Sequence, residues 1–425
     1  MAGEFPRVSL RELVENFDSR RVPLSGRERE QRRGPFSYYG ATGVMDYVDD
    51  YLFEGLHLLV AEDGSVETPK GKPFLQLVGG QFWVSNHAHV LRGPTDEETR
   101  FIYYALSTVA IRPFMTGSVQ AKLSQGNLNR IPIPYPSEGP TRRAIAHILG
   151  TLDDKIELNR RMNETLETMA RAIFKSWFVD FDPVRAKAEG RDPGLPKPLA
   201  DLFPDSLENS ELGQIPKGWT VGPILDQAGL MSGGTPKTDR AEYWGGDIPW
   251  ASAKDVSQCG ESFLVATERR ITEQGISESA TQLIPALCTV VVARGATTGR
   301  MVLLGREMAM NQTCYALASA TESPFALYCQ LRREIDNLVH AAHGSVFDTI
   351  TTNTFATSRV VLPPRPMLNG FEESVNPLFR RILAGTEASR TLGALRDTLL
   401  PKLISGELRV PDAEHIVGDY ASNLR

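Results

Sequence analysis

A ladder of apolar side chains occurs twice in this chain, at a constant separation of 371 − 145 = 226 residues. The first copy runs Ile145, Leu149, Leu152, Ile156, then Leu166, Ala170, Ile173 and Trp177. The second runs Phe371, Val375, Leu378, Ile382, then Leu392, Arg396, Leu399 and Leu403, with Arg396 out of character. The steps alternate four and three residues, the heptad seam of paired helices. The middle of each ladder is polar or tiny: Asn159 and Asn163 in one, Gly385 and Ser389 in the other. A helix of roughly 33 residues is about 50 Å long, and a helix with one apolar stripe must bury it. Because the seams match step for step, each predicts the other as its partner. Antiparallel pairing sets the polar centres opposite each other, where they fix register. Packing of each helix on its own globular neighbour is the competing arrangement. Arg396 and Gly385 are expected to weaken the second seam.

The repeat continues upstream. Gly117-Ser118-Val119 matches Gly344-Ser345-Val346, and Val84-Ser85-Asn86-His87 resembles Ala309-Met310-Asn311-Gln312. Each Gly-Ser is followed by a polar stretch that ends in a proline-punctuated apolar run, Ile131-Pro132-Ile133-Pro134 or Val360-Val361-Leu362-Pro363-Pro364. Prolines there stop a strand and set up a helix. The reading is an α+β chain of two globular domains joined by two long antiparallel coiled-coil helices, a pseudo-two-fold repeat. It places a first domain at 1–140, a first helix at 141–180 and a linker at 181–209. A second domain follows at 210–366, then a second helix at 367–406. The linker is rich in Pro and Gly, with little helical or strand pattern; the tail at 407–425 is expected to fray.

Composition excludes several classes. The chain of 425 residues is 41% hydrophobic and 23% charged, the balance of globular domains rather than of disorder or membrane spans. The beginning, MAGEFPRVSLREL, lacks a signal-peptide core, which predicts a cytoplasmic protein. Cys259, Cys288, Cys314 and Cys329 form no CxxC pair, so free thiols rather than a zinc site are expected. His87 with His89, or His340 with His343, have no carboxylate cluster in the sequence around them, so no metal is predicted. No GxxxxGK[ST] loop and no GxGxxG fingerprint occur, nor any grouping of nucleophile, base and orienting residue, so no catalytic residue is proposed. A formal net charge of −6 argues against a protein that simply coats DNA, but not against one that reads a sequence with a few well-placed cations.

The candidates for reading DNA are small polar residues, amides and aromatics in loops. Tyr38, Tyr39, Gly40 and Thr42 belong to a Gly-punctuated loop, where the alternative is a tight turn between strands. Asn86 and Gln312 hold matching places in the repeat, and amides pair bidentately with adenine; capping a turn is the other use. After the repeated Gly-Ser come Gln120, Lys122, Gln125 and Asn127 in one copy, and Thr349, Thr351 and Asn353 in the other. Similar residue types with different identities suit two readers of different sequences, as they also suit plain polar loops. Lys254 and Arg294 are candidate phosphate or guanine contacts, where plain surface charge is the alternative, and Thr297 completes the set.

Four stretches carry a resemblance. They are Leu152-Asp153-Asp154-Lys155-Ile156-Glu157-Leu158-Asn159; Phe174-Lys175-Ser176-Trp177-Phe178-Val179-Asp180-Phe181-Asp182-Pro183; Gly213-Gln214-Ile215-Pro216-Lys217-Gly218-Trp219; and Arg396-Asp397-Thr398-Leu399-Leu400-Pro401-Lys402-Leu403-Ile404-Ser405-Gly406-Glu407-Leu408. Together with the less specific Tyr39–Gly43 loop, they make the chain resemble the specificity subunit of a type I restriction–modification enzyme over nearly its whole length. The resemblance implies a non-catalytic subunit whose two recognition domains each read half of a split, asymmetric site on double-stranded DNA. It implies helices that space the domains and dock two modification subunits, which carry S-adenosylmethionine and methylate adenine; this chain would hold no cofactor. A motor-endonuclease subunit would join for restriction, and no membrane is involved. Half-sites about one helical turn apart, roughly 34 Å, suit the helix length. A specificity subunit of a modification-only system and a coiled-coil scaffold that binds proteins alone remain the alternatives.

Overall fold

The computed structural model of the chain describes residues 5–117, 121–341 and 349–423. It divides into two compact units, residues 1–156 with 391–425, and residues 157–390. The chain is α+β: two mixed globular bodies and two long helices, Gly139–Phe178 and Arg365–Ser405.

The first unit holds two four-stranded sheets. One orders Glu15–Asn16, Ala88–Arg92, His57–Ala61 and Leu75–Val78, all antiparallel. The other orders Gly43–Val48, Arg33–Gly40, Gln81–Val84 and Phe53–Glu54, in which Arg33–Gly40 runs parallel to Gln81–Val84. Every residue of His57–Ala61 is buried, so the strand reads as an apolar run rather than an alternation; both faces are covered. Helix Asp96–Ser107 starts at Thr95, whose side chain accepts from the Glu98 N–H, with three acids in its first turn, a start favoured by the helix dipole.

The second unit repeats this plan. Its first sheet orders Ala228–Ser232, Cys314–Ser319, Thr289–Val292, Met301–Leu304 and Phe263–Leu264. Its second orders Arg269–Ile271, Trp244–Ala251, Met308–Met310 and Leu283–Ile284, again with one parallel pair, Trp244–Ala251 on Met308–Met310. In each unit a short capped helix precedes the proline-rich strand: Gln125–Asn129 on Ser124, and Thr352–Thr357 on Thr351. The repeat that is faint in the sequence is plain in the order of the strands. The Gly-Ser-Val matches lie mostly outside the described residues: Gly117 alone is described.

The helix seams are buried within each unit. In the first, Ile145, Leu149 and Leu152 share one cluster with Leu392, Leu399 and Leu403, and Ile156 packs against it partly buried. In the second, Leu166 and Ile173 pack on a cluster that holds Phe371, Val375 and Ile382, with Leu378 at its margin. As the first helix advances from Asn159 to Asn163 to Phe174, its partners fall from Ser389 to Thr386 to Phe371, which is antiparallel pairing. Arg396 does not weaken the seam. Its guanidinium reaches Asp153 of the facing helix at 2.5 Å, so an ion pair crosses the seam where the apolar ladder breaks. Gly385 does not weaken it either: a Cβ there would stand 2.6 Å from Asn163 Oδ1, so the glycine makes room for the facing amide.

Two further expectations need correction. The segment 181–209 contains helices Asp182–Ala188 and Lys197–Ala200. Each has proline in its first turn, and Val184 and Phe203 anchor the segment in the core beside Trp177. The tail is not frayed over Val410–Asn423, which form a helix pinned by buried Ala413. In both cases apolar residues too sparse to show a period still find a core to enter. None of the described helices is long and apolar enough to cross a membrane.

Candidate nucleic-acid interface

Three backbone hydrogen bonds gather the polar segments of the first unit at one edge of its sheets. Ser85 N–H donates to Tyr39 O at 2.9 Å, Glu62 N–H to His87 O at 2.9 Å, and Leu123 N–H to Glu62 O at 2.8 Å. The hairpin tip at 40–43, the turn 85–87 and the stretch 121–125 therefore meet. The second unit makes the same three bonds: Asn311 to Ala251 at 2.9 Å, Ala293 to Thr313 at 2.8 Å, and Ile350 to Ala293 at 2.8 Å. Gln312, Arg294 and Thr349 thus occupy one edge. The same backbone scaffold carries amides, a lysine and a threonine in one unit and an amide, an arginine and threonines in the other.

The candidates fare differently at this edge. Thr42, Asn86, Lys122 and Gln125 are exposed in the first unit, and Arg294, Gln312, Thr349, Thr351 and Asn353 in the second. Thr297 is half-buried in the turn after Arg294. Lys254 is exposed on helix Ala253–Gln258 and paired with Glu268 at 2.6 Å. Thr351 accepts from Thr354 N–H as a helix cap. Gln120 lies outside the described residues.

Several candidates turn out to be structural. Tyr38 is buried, and its hydroxyl accepts from Leu24 N–H at 2.9 Å. Tyr39, on the opposite face of the strand, is half-buried with its ring edge-on to Phe82 at 5.8 Å, and burial pushes its phenol pKa up. A Cβ at Gly40 would meet Met45 Sδ at 2.3 Å, but Met45 is an exposed, flexible side chain that can swing aside. Asn127 Nδ2 donates to Phe114 O at 3.0 Å, which ties down the loop below the edge. The sequence reading passed over Thr235, whose hydroxyl donates to Gln312 Oε1. That bond fixes which end of the amide is which and leaves its NH2 to donate elsewhere.

Beneath the first unit's edge lies an ionic network that corrects the view that His89 has no carboxylates around it. Asp18, Glu62 and His89 converge within 4.8 Å. His89 is buried, with Nδ1 at 2.6 Å from Asp18 Oδ2 and Nε2 at 2.8 Å from Leu123 O, so both ring nitrogens face acceptors. Arg21 stands 3.6 Å from Asp18 and 2.8 Å from Glu62, which already supplies a cation to the cluster. Burial disfavours the charged form of Asp18, but the hydrogen bond and charge of His89, the Val90 N–H and Arg21 outweigh it and hold its carboxyl below the usual range. Glu62 is held low in the same way by Arg21, His89 and Lys122, against its burial. Lys122, 3.2 Å from Glu62, is thus tethered and part-neutralised. His87 bonds Asp63 at 2.7 Å. His340 and His343 have no described side chains.

A family model described as the type I restriction modification DNA specificity domain matches residues 4–168 and 216–366. The type I restriction enzyme HindI specificity subunit of Haemophilus influenzae is 28% identical over 313 residues, 63% of this chain and 67% of that protein. The MjaIX specificity subunit of Methanocaldococcus jannaschii is 26% identical over 330 residues, 74% of this chain and 70% of its own length. The crystal structure of a type I restriction–modification S subunit from M. genitalium aligns over 94% of this chain and 96% of its own, with a TM-score of 0.57 at 15% identity; that likeness concerns the fold.

Proposed function

The chain belongs to the type I restriction–modification DNA specificity family, and from that premise we propose that it reads a split, asymmetric site on double-stranded DNA, one half with each unit. It is a DNA-recognition subunit and not itself an enzyme; catalysis belongs to partner subunits. The observation that carries the two-half reading is the repeated set of three backbone bonds. One scaffold presents Asn86, Lys122, Gln125 and Thr42 in the first unit, and Gln312, Arg294, Thr349 and Asn353 in the second. Amides bond adenine edges, arginine bonds guanine or phosphate, and threonine serves either. Different side chains on equal backbones read different bases.

The long helices support docking of two adenine-methylating modification subunits that carry S-adenosylmethionine, with a motor-endonuclease joining for restriction in the cytoplasm. Besides its buried seam, the first helix has a second heptad stripe of Leu158, Met162, Thr165, Met169 and Ala172. Leu158 is 52% and Met169 48% exposed, and an open apolar stripe of this kind suits a partner helix. The positions 226 residues later hold Ala384, Ala388, Thr391, Leu395 and Thr398, of which Leu395 packs on the first unit's core, so the open stripe is a feature of the first helix.

The test is single-molecule mapping of methylated adenine in DNA from cells that carry this chain with its modification subunit, against cells that lack only this chain. A split motif that appears only with the chain supports the reading. An active modification subunit with no chain-dependent motif refutes it.

A further inference from the structure

The second unit has a cationic platform that the polar edge does not include. Strands Arg269–Ile271 and Trp244–Ala251 pair so that Arg269 stands directly opposite Trp250, a cross-strand position from which a long side chain reaches its neighbour's ring. The guanidinium carbon of Arg269 lies 3.4 Å from the centroid of the Trp244 ring and 5.7 Å from that of Trp250. The two indoles meet edge-to-face at 5.2 Å. Both indoles are themselves fixed: Trp244 Nε1 donates to Lys237 O at 3.1 Å and Trp250 Nε1 to Gly234 O at 3.0 Å. The segment they hold is the one that sets Thr235 against Gln312, and Gly234 N–H donates to Met310 O beside that turn. One set of contacts therefore runs from the candidate reading amide to the stacked arginine.

Arg269 and Lys237 are exposed, and among the described residues neither has a carboxylate partner. The first unit is different at the equivalent place. There Asp46 stands opposite Tyr38 on the paired strand, and Arg29, from helix Gly26–Gln31, lies over Tyr38 at 5.2 Å but is bound by Asp46 at 3.1 Å. A guanidinium laid on an indole keeps its plane and position while its N–H edges stay available. That is the geometry suited to a phosphate, which takes two parallel N–H bonds.

We propose that Arg269, with Lys237, is a DNA-phosphate contact of the second unit that holds the duplex in register for Gln312. This rests on the DNA-reading function above. The experiment measures binding of the full chain in complex with its modification subunits. The probes are a duplex carrying the motif found by methylation mapping and the same duplex with both half-sites scrambled, each over a range of salt. Arg269→Ala is expected to weaken binding to both duplexes by the same factor and to flatten the slope of log affinity against log salt by about 1; adding Lys237→Ala flattens it by about 2. Arg269→Lys keeps the charge and is expected to keep most of the slope, which separates a phosphate contact from a folding defect. An unchanged slope in Arg269→Ala overturns the proposal while a parent complex that still selects its motif leaves the reading function standing. A changed methylation motif in Arg269→Ala also overturns it, since that is a base contact. A parent complex that does not distinguish the two duplexes would sink the reading function itself.

Discussion

At the scale of single residues, the second unit shows how tightly polar groups are placed. Asn163 is buried and donates to Thr386 Oγ1 at 3.2 Å and to Glu261 Oε2 at 2.9 Å. It fits only because Gly385 has no Cβ. Gly385→Ala must push Asn163 aside or bend the helix, at a cost of about 1–3 kcal/mol typical of overpacking, despite the better helix propensity of alanine. Thermal denaturation checks this, and an unchanged or raised midpoint would show that the amide relaxes freely. Glu372 gives a pH prediction. Burial pushes its carboxyl up to about 7, although its Oε1 accepts from Ala326 N–H at 2.8 Å. The folded value lies above the unfolded 4.5, so the folded state binds the extra proton. The stability from that proton is complete below about pH 4.5 and is lost as pH rises through about 7. Over the window it amounts to roughly 3 kcal/mol at most. Glu372→Gln is expected to remove this slope, so that its melting temperature gains on the parent between pH 5 and pH 8. Parallel curves for the two proteins would refute the assignment.

At the scale of the element, the first long helix has two heptad faces with opposite fates. Leu152 is 3% exposed and Leu158 is 52% exposed, six residues apart on one helix. Leu152→Asp buries a charge without a partner and is expected to cost several kcal/mol, seen as a lower melting temperature of the chain alone. Leu158→Asp with Met169→Asp changes only exposed positions, so the chain should melt as the parent does. Its capture of the modification subunit on co-purification should fall sharply. Full capture by the double variant would remove the stripe as a docking face. The buried seam is legible as 4-3 spacing in the sequence; that Leu158 and Met169 stand open is read from the structure. The central amides Asn159 and Asn163 read as a polar layer before any coordinates. Their bonds to Ser389 and Thr386 cross the helix pair, as the matched seams imply, but the bond of Asn163 to Glu261 depended on where a loop of the second globular body would come to lie.

At the scale of the whole molecule, the repeat argues for modular reading. Exchanging residues 1–140 for the domain of another family member keeps every seam residue from Ile145 onward, with Ile145, Leu149 and Leu152 repacking against the new domain in place of residues such as Leu10 and Phe101. It is expected to change one half of the methylated motif and leave the other; mapping that shows both halves altered would refute modularity. The sequence by itself determined the two helices, their matching seams and the doubling of the plan, because a helix writes its buried face into the chain at a local, repeated spacing. The family motifs were legible as runs of consecutive residues. Only the tertiary structure decided which polar residues face outward. The edges are assembled from segments far apart in sequence, joined by backbone bonds such as Glu62 to His87 and Leu123 to Glu62, and backbone groups leave no mark in side-chain identity. Strand alternation turned Tyr38 inward, a missing Cβ turned Gly385 from a weakness into a fit, and a cross-strand register set Arg269 on its tryptophans. Each is a matter of which atoms stand opposite one another, and that is settled when the sheets and helices close on a common core.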